Sequence, residues 1–286
     1  MDGSGGSMTQ NDVTTVNGFV KELFFRFMHD EVMGLSAQLA YFFLLSLFPF
    51  LIFIITLIGY LPISQDDLLG LVSRFAPGET MKLIESNLRQ ILNEPRGGLL
   101  SFGVIATIWS ASNGINAIIR AMNRAYDVKE NRPFLLTRLV AIFLTIGMIV
   151  VIIVALLLPV FGKAIGLFIF THLGISESFM GIWDFFRIVI SFFVMVVVLA
   201  ILYTFAPNKK LRFKEVLYGA FFATFGWQLV SLAFSYFVLN FGNYTATYGS
   251  LGGIIVLMIW FYLSAMVIIV GGEINAIMRM NRTIHN

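Results

Sequence analysis

The sequence predicts an all-α, polytopic membrane protein with six transmembrane helices and both termini in the cytoplasm. Three observations carry this prediction. Of 286 residues, 58% are hydrophobic and only 12% are charged, against about 25% charged in soluble domains. Six apolar stretches are long enough to cross a bilayer, which at 1.5 Å of helical rise per residue takes about 20 residues. Finally, Lys and Arg gather on one side of the topology that those stretches define.

In chain order, residues 1–7 (MDGSGGS) read as an expression tag, with Met8 as the native start, and no cleavable signal peptide follows. Residues 8–34 form a cytoplasmic segment. Between Val16 and Met28 apolar residues alternate with polar and charged ones, which predicts an amphipathic helix along the membrane surface. Residues 35–280 make the transmembrane domain, with spans at 35–61, 99–119, 139–158, 185–205, 217–239 and 248–277. The outer loop, 62–98, holds Asp66 and Asp67 before LLGLVSRF, then PGET before MKLIESNLRQIL. Those starts and spacings predict two short amphipathic helices. Residues 160–174 are too short to span and read as an interfacial or re-entrant helix, and residues 281–286 are a cytoplasmic tail.

Orientation follows from charge. With both ends inside, the inner segments hold 13 of the 19 Lys and Arg residues, concentrated at Arg120–Arg138 and Lys209–Lys214. The remaining six lie in longer outer segments, as positive-inside bias requires. There is no Cys, so thiol chemistry, disulfides and Cys-ligated metals are excluded.

Polar groups inside a bilayer are expensive, so they mark candidate sites. Trp109, Asn113, Asn116 and Arg120 share one helical face, as do Thr224, Gln228, Ser231 and Ser235. The first span adds Gln38, Ser46 and Pro49, the last a candidate kink because it lacks an amide donor. Such residues serve either as hydrogen-bonding glue between helices or as the lining of a water-filled cavity. Their shared depth favours a cavity open to the cytoplasm, with Gln38, Ser46, Asn113, Asn116, Arg120, Thr224 and Gln228 as the substrate path.

The last span carries one charge, Glu273, near its C-terminal end. Gly253, Trp260, Ser264, Gly271 and Asn275 form a stripe suited to close helix packing, and Glu273 lies on the opposite face. A carboxylate there opposes the helix macrodipole and calls for a cation. Arg120 is the expected partner, closing the inner end as a gate; Arg124 and Lys214 are alternatives, and so is a carboxylate that snorkels to water.

AYFFLLSLFPFLIF (from Ala40), WSASNGINAIIRAMNRAYD (from Trp109), YTFAPNKKLRFKEVLYGAFFATFGWQ (from Tyr203) and YGSLGGIIVLMIWFYLSAMVIIVGGEINA (from Tyr248) together resemble the YihY/BrkB family of bacterial inner-membrane proteins. The resemblance covers nearly everything from Phe19 to Met280. It implies a six-helix membrane protein of a family once labelled ribonuclease BN in error, for which transport and export of lipid or envelope components have been proposed. It marks Pro49, Asn113, Asn123, Tyr126, Pro207, Asn208, Gly249, Gly252, Glu273 and Asn275 as family-typical, with no catalytic role to carry onto any of them.

The expected function is therefore a transporter or flippase-like exporter of an amphiphilic, lipid-like or anionic substrate, in the cytoplasmic membrane. The partners are the lipid bilayer and that substrate, with no nucleic acid, no cofactor and no metal; the sequence does not decide whether the chain forms homo-oligomers. The alternative is a non-transporting scaffold or envelope assembly factor. A nuclease would need clustered carboxylates or His, and His29, His172 and His285 are far apart, with Asp30 and Glu31 beside the first reading as a solvated helix face. No catalytic residue is assigned. Reporter fusions after Arg132 and Lys210 are expected to read cytoplasmic, and those after Glu85 and Ser176 external. An external signal at Lys210 overturns the six-helix topology.

Overall fold

A computed structural model describes residues 15–58, 97–149, 178–241 and 251–284. Apart from short turns and loops they are helical, with no strand among the described residues. The helices are α1 (Val16–His29), α2 (Val32–Ile58), α3 (Gly97–Ala125), α4 (Phe134–Ile149), α5 (Ser178–Phe205), α6 (Leu217–Phe241) and α7 (Leu251–Ile284). Five of them, α2, α3, α5, α6 and α7, are long and apolar enough to cross a membrane. The third span expected from sequence, 139–158, falls on α4, which is described only as far as Ile149. The tag, the outer helical loop up to residue 96 and the 160–174 segment lie outside the described residues, and the last two loop residues, 97 and 98, begin α3.

The chain divides into two compact units, one of residues 42–111 and one of 1–41 with 112–286. In the smaller unit, a Cβ added at Gly103 of α3 would sit 3.0 Å from the backbone of Phe53 on α2, so the two helices touch through a glycine. α2 runs through Pro49 as one helix. Ser46 also lies in this unit, and the remaining candidate sites belong to the larger one.

Local chemistry sets the helix ends there. Thr15 caps α1, its Oγ1 accepting from the Gly18 amide at 3.1 Å. α1 and α2 meet at a two-residue corner, where Glu31 takes φ 54°. α3 stops in a Schellman motif: Val128 N–H donates to Asn123 O at 2.9 Å and Asp127 N–H to Arg124 O at 3.0 Å. Asp127 holds the left-handed position, φ 48°, that glycine usually fills.

Packing follows membrane logic. Phe225, Leu229, Leu232 and Tyr236 form an exposed stripe along α6, whereas Gly219, Ala220, Ala223 and Thr224 turn inward. Large residues face outward and small ones let backbones approach, as expected where lipid is as apolar as leucine. The closest approach is between α6 and α7. A Cβ at Gly219 would overlap the Gly271 carbonyl oxygen, and one at Gly271 would overlap Tyr203 Oη. The Gly219 amide, in the first turn of α6 and so without an intrahelical acceptor, donates to Asn275 Oδ1 at 2.7 Å. Gly253, expected in the same packing stripe, has nothing within 4 Å of an added Cβ. The stripe engages α6 at Gly271 and Asn275, near the C-terminal end of α7, and not at Gly253.

Two loops seal the same end of the unit. Asn123 accepts from the Asn208 amide at 2.6 Å and donates to Glu130 Oε2 at 2.8 Å. Arg132 grips both Glu130 oxygens at 2.7 Å and reaches Ala206 O at 3.0 Å. Arg279 of α7 bonds Glu215 at 3.0 Å. The first turns of α4 and α6 are thereby tied to the last turns of α3, α5 and α7; we call this the basal end.

Two predictions follow from this packing. Gly219→Ala is expected to destabilise by about 1–3 kcal/mol through overpacking against backbone, whereas Gly253→Ala gains about 0.5–1 kcal/mol of helix propensity. Thermal unfolding in detergent compares them, and equal effects would contradict the packing. The Arg132 fork holds the Glu130 carboxyl below its ordinary range, opposed by partial burial and helped by Asn123. A lowered carboxyl stabilises fully above its unfolded value and loses that contribution as pH falls through its folded value. The Tm difference between wild type and Glu130→Gln should therefore be largest near neutral pH and vanish in acid.

Candidate functional site

The basal end concentrates the charges buried in the larger unit. Glu273, in the last third of α7, is fully buried, and neither carboxylate oxygen has a hydrogen-bond partner among the described residues. The nearest cation is Arg26 of α1, its Nη1 3.8 Å from Glu273 Oε2. Arg26 is itself held by Glu22 at 2.8 Å, one turn earlier on α1, and by Ala125 O at 2.9 Å, the last residue of α3. Its Nη2 lies 3.9 Å from the Met280 sulfur. One guanidinium therefore spans α1, α3 and α7.

The sequence expectation paired Glu273 with Arg120, and the structure corrects it. Arg120 is exposed and donates to Gln38 Oε1 of α2 at 3.1 Å. The reason is helical phase. α3 meets α7 through Met122, whose side chain fills the space beside Gly272, and through Ala125, which clusters with Ala276. Two residues from Met122 is about 200° around the helix, so Arg120 faces away from α7. Arg124, the first alternative, holds the α1–α2 corner instead, 3.5 Å from Asp30 and 3.4 Å from Glu31, with its Nη2 on His29 O at 2.9 Å. Lys214 lies in the short 3₁₀ turn Phe213–Glu215.

The expected path residues separate. Asn113 Oδ1 accepts from Arg138 Nη1 of α4 at 2.6 Å, and Arg138 is buried. Asn116, about one turn on, keeps a buried Oδ1 without a partner among the described residues. Thr224 is fully buried and spends its hydroxyl on Ala220 O of its own helix. Ser46 does the same with Phe43 O at 2.8 Å, in the smaller unit. Gln228 is exposed. The polar residues of α2, α3 and α4 thus come together as two pairs, Gln38–Arg120 and Asn113–Arg138. Those of α6 face elsewhere, and a β-branched hydroxyl that can bond its own i−4 carbonyl needs no cavity. Ser264 is buried, and Trp260 Nε1 reaches Ser231 Oγ at 3.3 Å, a contact between α6 and α7.

Sequence reading missed two positions of this candidate site. The first is Arg26, whose signal was available: Glu22 and Arg26 stand four residues apart on the polar face of α1. The second is Arg138, counted only as an inner-loop cation although it begins an apolar helix.

A protein-family model described as Virulence factor BrkB matches residues 23–286. A Bacillus subtilis (strain 168) protein named as ribonuclease-like protein YfkH is 56% identical over 264 residues, covering 92% of this chain and 96% of that one. A UPF0761 membrane protein of Aeromonas salmonicida (strain A449) is 28% identical, covering 90% and 88%. Another, from Pseudoalteromonas atlantica (strain T6c / ATCC BAA-1087), is 25% identical, covering 92% and 87%. No solved structure matches. With spanning helices and a family match over nearly its whole length, this chain is an integral membrane protein of the Virulence factor BrkB family.

Proposed function

We propose that the chain is a transporter or flippase-like exporter in the cytoplasmic membrane, carrying an amphiphilic, lipid-like or anionic envelope-related substrate, with its basal end in the cytoplasm. The carrying observation is Glu273, a carboxylate buried in a spanning helix with a cation at 3.8 Å and no hydrogen-bond donor among the described residues. An ionisable group at such a place is costly and marks a functional site by default. In this reading Arg26–Glu273 is the basal gate. Asn113, Asn116 and Arg138 receive an anionic headgroup, and Arg120 with Gln38 lies at the mouth.

A scaffold or assembly factor is the second reading, favoured by the hydrogen-bonded seal of Asn123, Glu130, Arg132 and Asn208. Ribonuclease chemistry, suggested by one relative's name, finds less support. Metal-assisted phosphodiester cleavage uses clustered carboxylates or His, and no group of three that could hold a metal occurs among the described residues.

Reconstituted protein is expected to translocate a fluorescent anionic phospholipid faster than empty liposomes. Glu273→Gln and Arg26→Gln should each slow it, while the double change recovers part of the loss. A coupling of roughly 1–3 kcal/mol is expected for residues in one charge network, and strict additivity in both transport and Tm rejects the gate. Cys introduced at Asn116 should react with an impermeant thiol reagent from the cytoplasmic side, faster than Cys at the outward-facing Leu232. An equal rate supports the glue reading.

A further inference from the structure

α1 is inverted relative to a helix lying on a soluble protein. Gly18, Glu22 and Arg26, four residues apart, form its inner stripe; Gly18 and Glu22 are buried and Arg26 is held as described above. Val16, Val20, Phe24 and Met28 are also four apart, offset by two residues and so on the opposite face. All four are exposed, Val16 at 83% and Phe24 at 68%. Phe25 widens the stripe, and the exposed Lys21 and His29 flank it in the same shallow groove.

The helix has a fixed height. Two residues separate it from α2, whose membrane-spanning stretch begins at Val32. Arg26 touches Ala125, where the α3 stretch ends, and lies beside Glu273 and Met280, in the last turns of the α7 stretch that ends at Asn281. Three spanning helices thus place α1 at their basal boundary, where an outward apolar stripe meets lipid and a Lys beside it meets headgroups.

We propose that α1 is an interfacial strap whose Val16–Val20–Phe24–Met28 stripe seats in the bilayer surface, with Lys21 on anionic headgroups, while its opposite stripe holds Arg26 against Glu273. Apolar area and cation attraction both add to binding at such a surface. The strap stands on the geometry of α1 alone and holds whether or not anything is transported.

The cysteine-free chain allows single-site spin labelling of the full protein in bilayer nanodiscs. A label at Phe24→Cys is expected to collide with lipid-soluble oxygen in preference to an aqueous nickel chelate, the ratio exceeding that at Lys129→Cys, on an exposed loop, by about tenfold, as for a site about 5–10 Å into the boundary. Adding phosphatidylglycerol should raise the ratio further, and Lys21→Glu should abolish that rise. Met28→Cys, one turn on, serves where Phe24→Cys does not accumulate. Nickel-dominated collisions at both sites would overturn the strap, as would spin–spin broadening showing that a second copy covers the stripe. A ratio indifferent to phosphatidylglycerol would remove the headgroup role of Lys21.

Discussion

The Gly219 amide donating to Asn275 Oδ1 at 2.7 Å fixes the rotation of α7, and much of the basal architecture depends on that rotation. In hydrocarbon an orphan amide of a first helical turn finds no water, so a partner must come from the protein. Here the cap is supplied from another helix, and it reaches only because Gly219 and Gly271 remove the side chains that would hold α6 and α7 apart. Tyr203 completes the contact, its hydroxyl donating to Ile268 O at 2.6 Å over Gly271. Asn275 is consequently buried although it is polar, and α7 cannot turn without stranding an amide.

That rotation has a second result. Glu273 lies two residues from Asn275, about 200° around the helix, so the register that seats the asparagine against α6 turns the carboxylate away from it. Both side chains are fully buried. The end of α7 is therefore enclosed from two sides, by α6 on one and by α1 and α3 on the other. Arg26 can stand near Glu273 because Glu22 and Ala125 O already orient its guanidinium. Removing one member of such a desolvated set strands the others, which makes the set more sensitive to single changes than its long 3.8 Å contact implies.

Five of the six expected spans, the amphipathic N-terminal helix and the family were legible in the sequence, because apolar length and four separate motifs are local signals. Contacts between helices were not. Asn113, Asn116 and Arg120 do recur at helical spacing, but spacing gives relative phase within α3 and not which side meets α7; Met122 against Gly272 decides that. Thr224 looked like a cavity residue because depth and polarity were the only guides, whereas its hydroxyl is absorbed by Ala220 O. Arg26 was overlooked for the opposite reason. Its helix reads as a surface element, and surface cations are ordinarily solvated, so the Glu22–Arg26 spacing showed a pair without showing that its stripe faces inward.

The inward polar stripe changes how the basal charges interact. Were α1 a cytosolic surface helix, Glu22 and Arg26 would face water, and their attraction for Glu273 would be screened within about a nanometre. Placed between the bundle and an apolar outer surface, the same charges interact across a poorly polarisable region, where attraction at a given distance is several times stronger than in water. The exposed Phe24 stripe and the buried Glu273 are thus two aspects of one arrangement. An apolar covering on the outside of α1 strengthens the electrostatics on its inside, and the inward charges explain why the helix presents its hydrophobic residues outward.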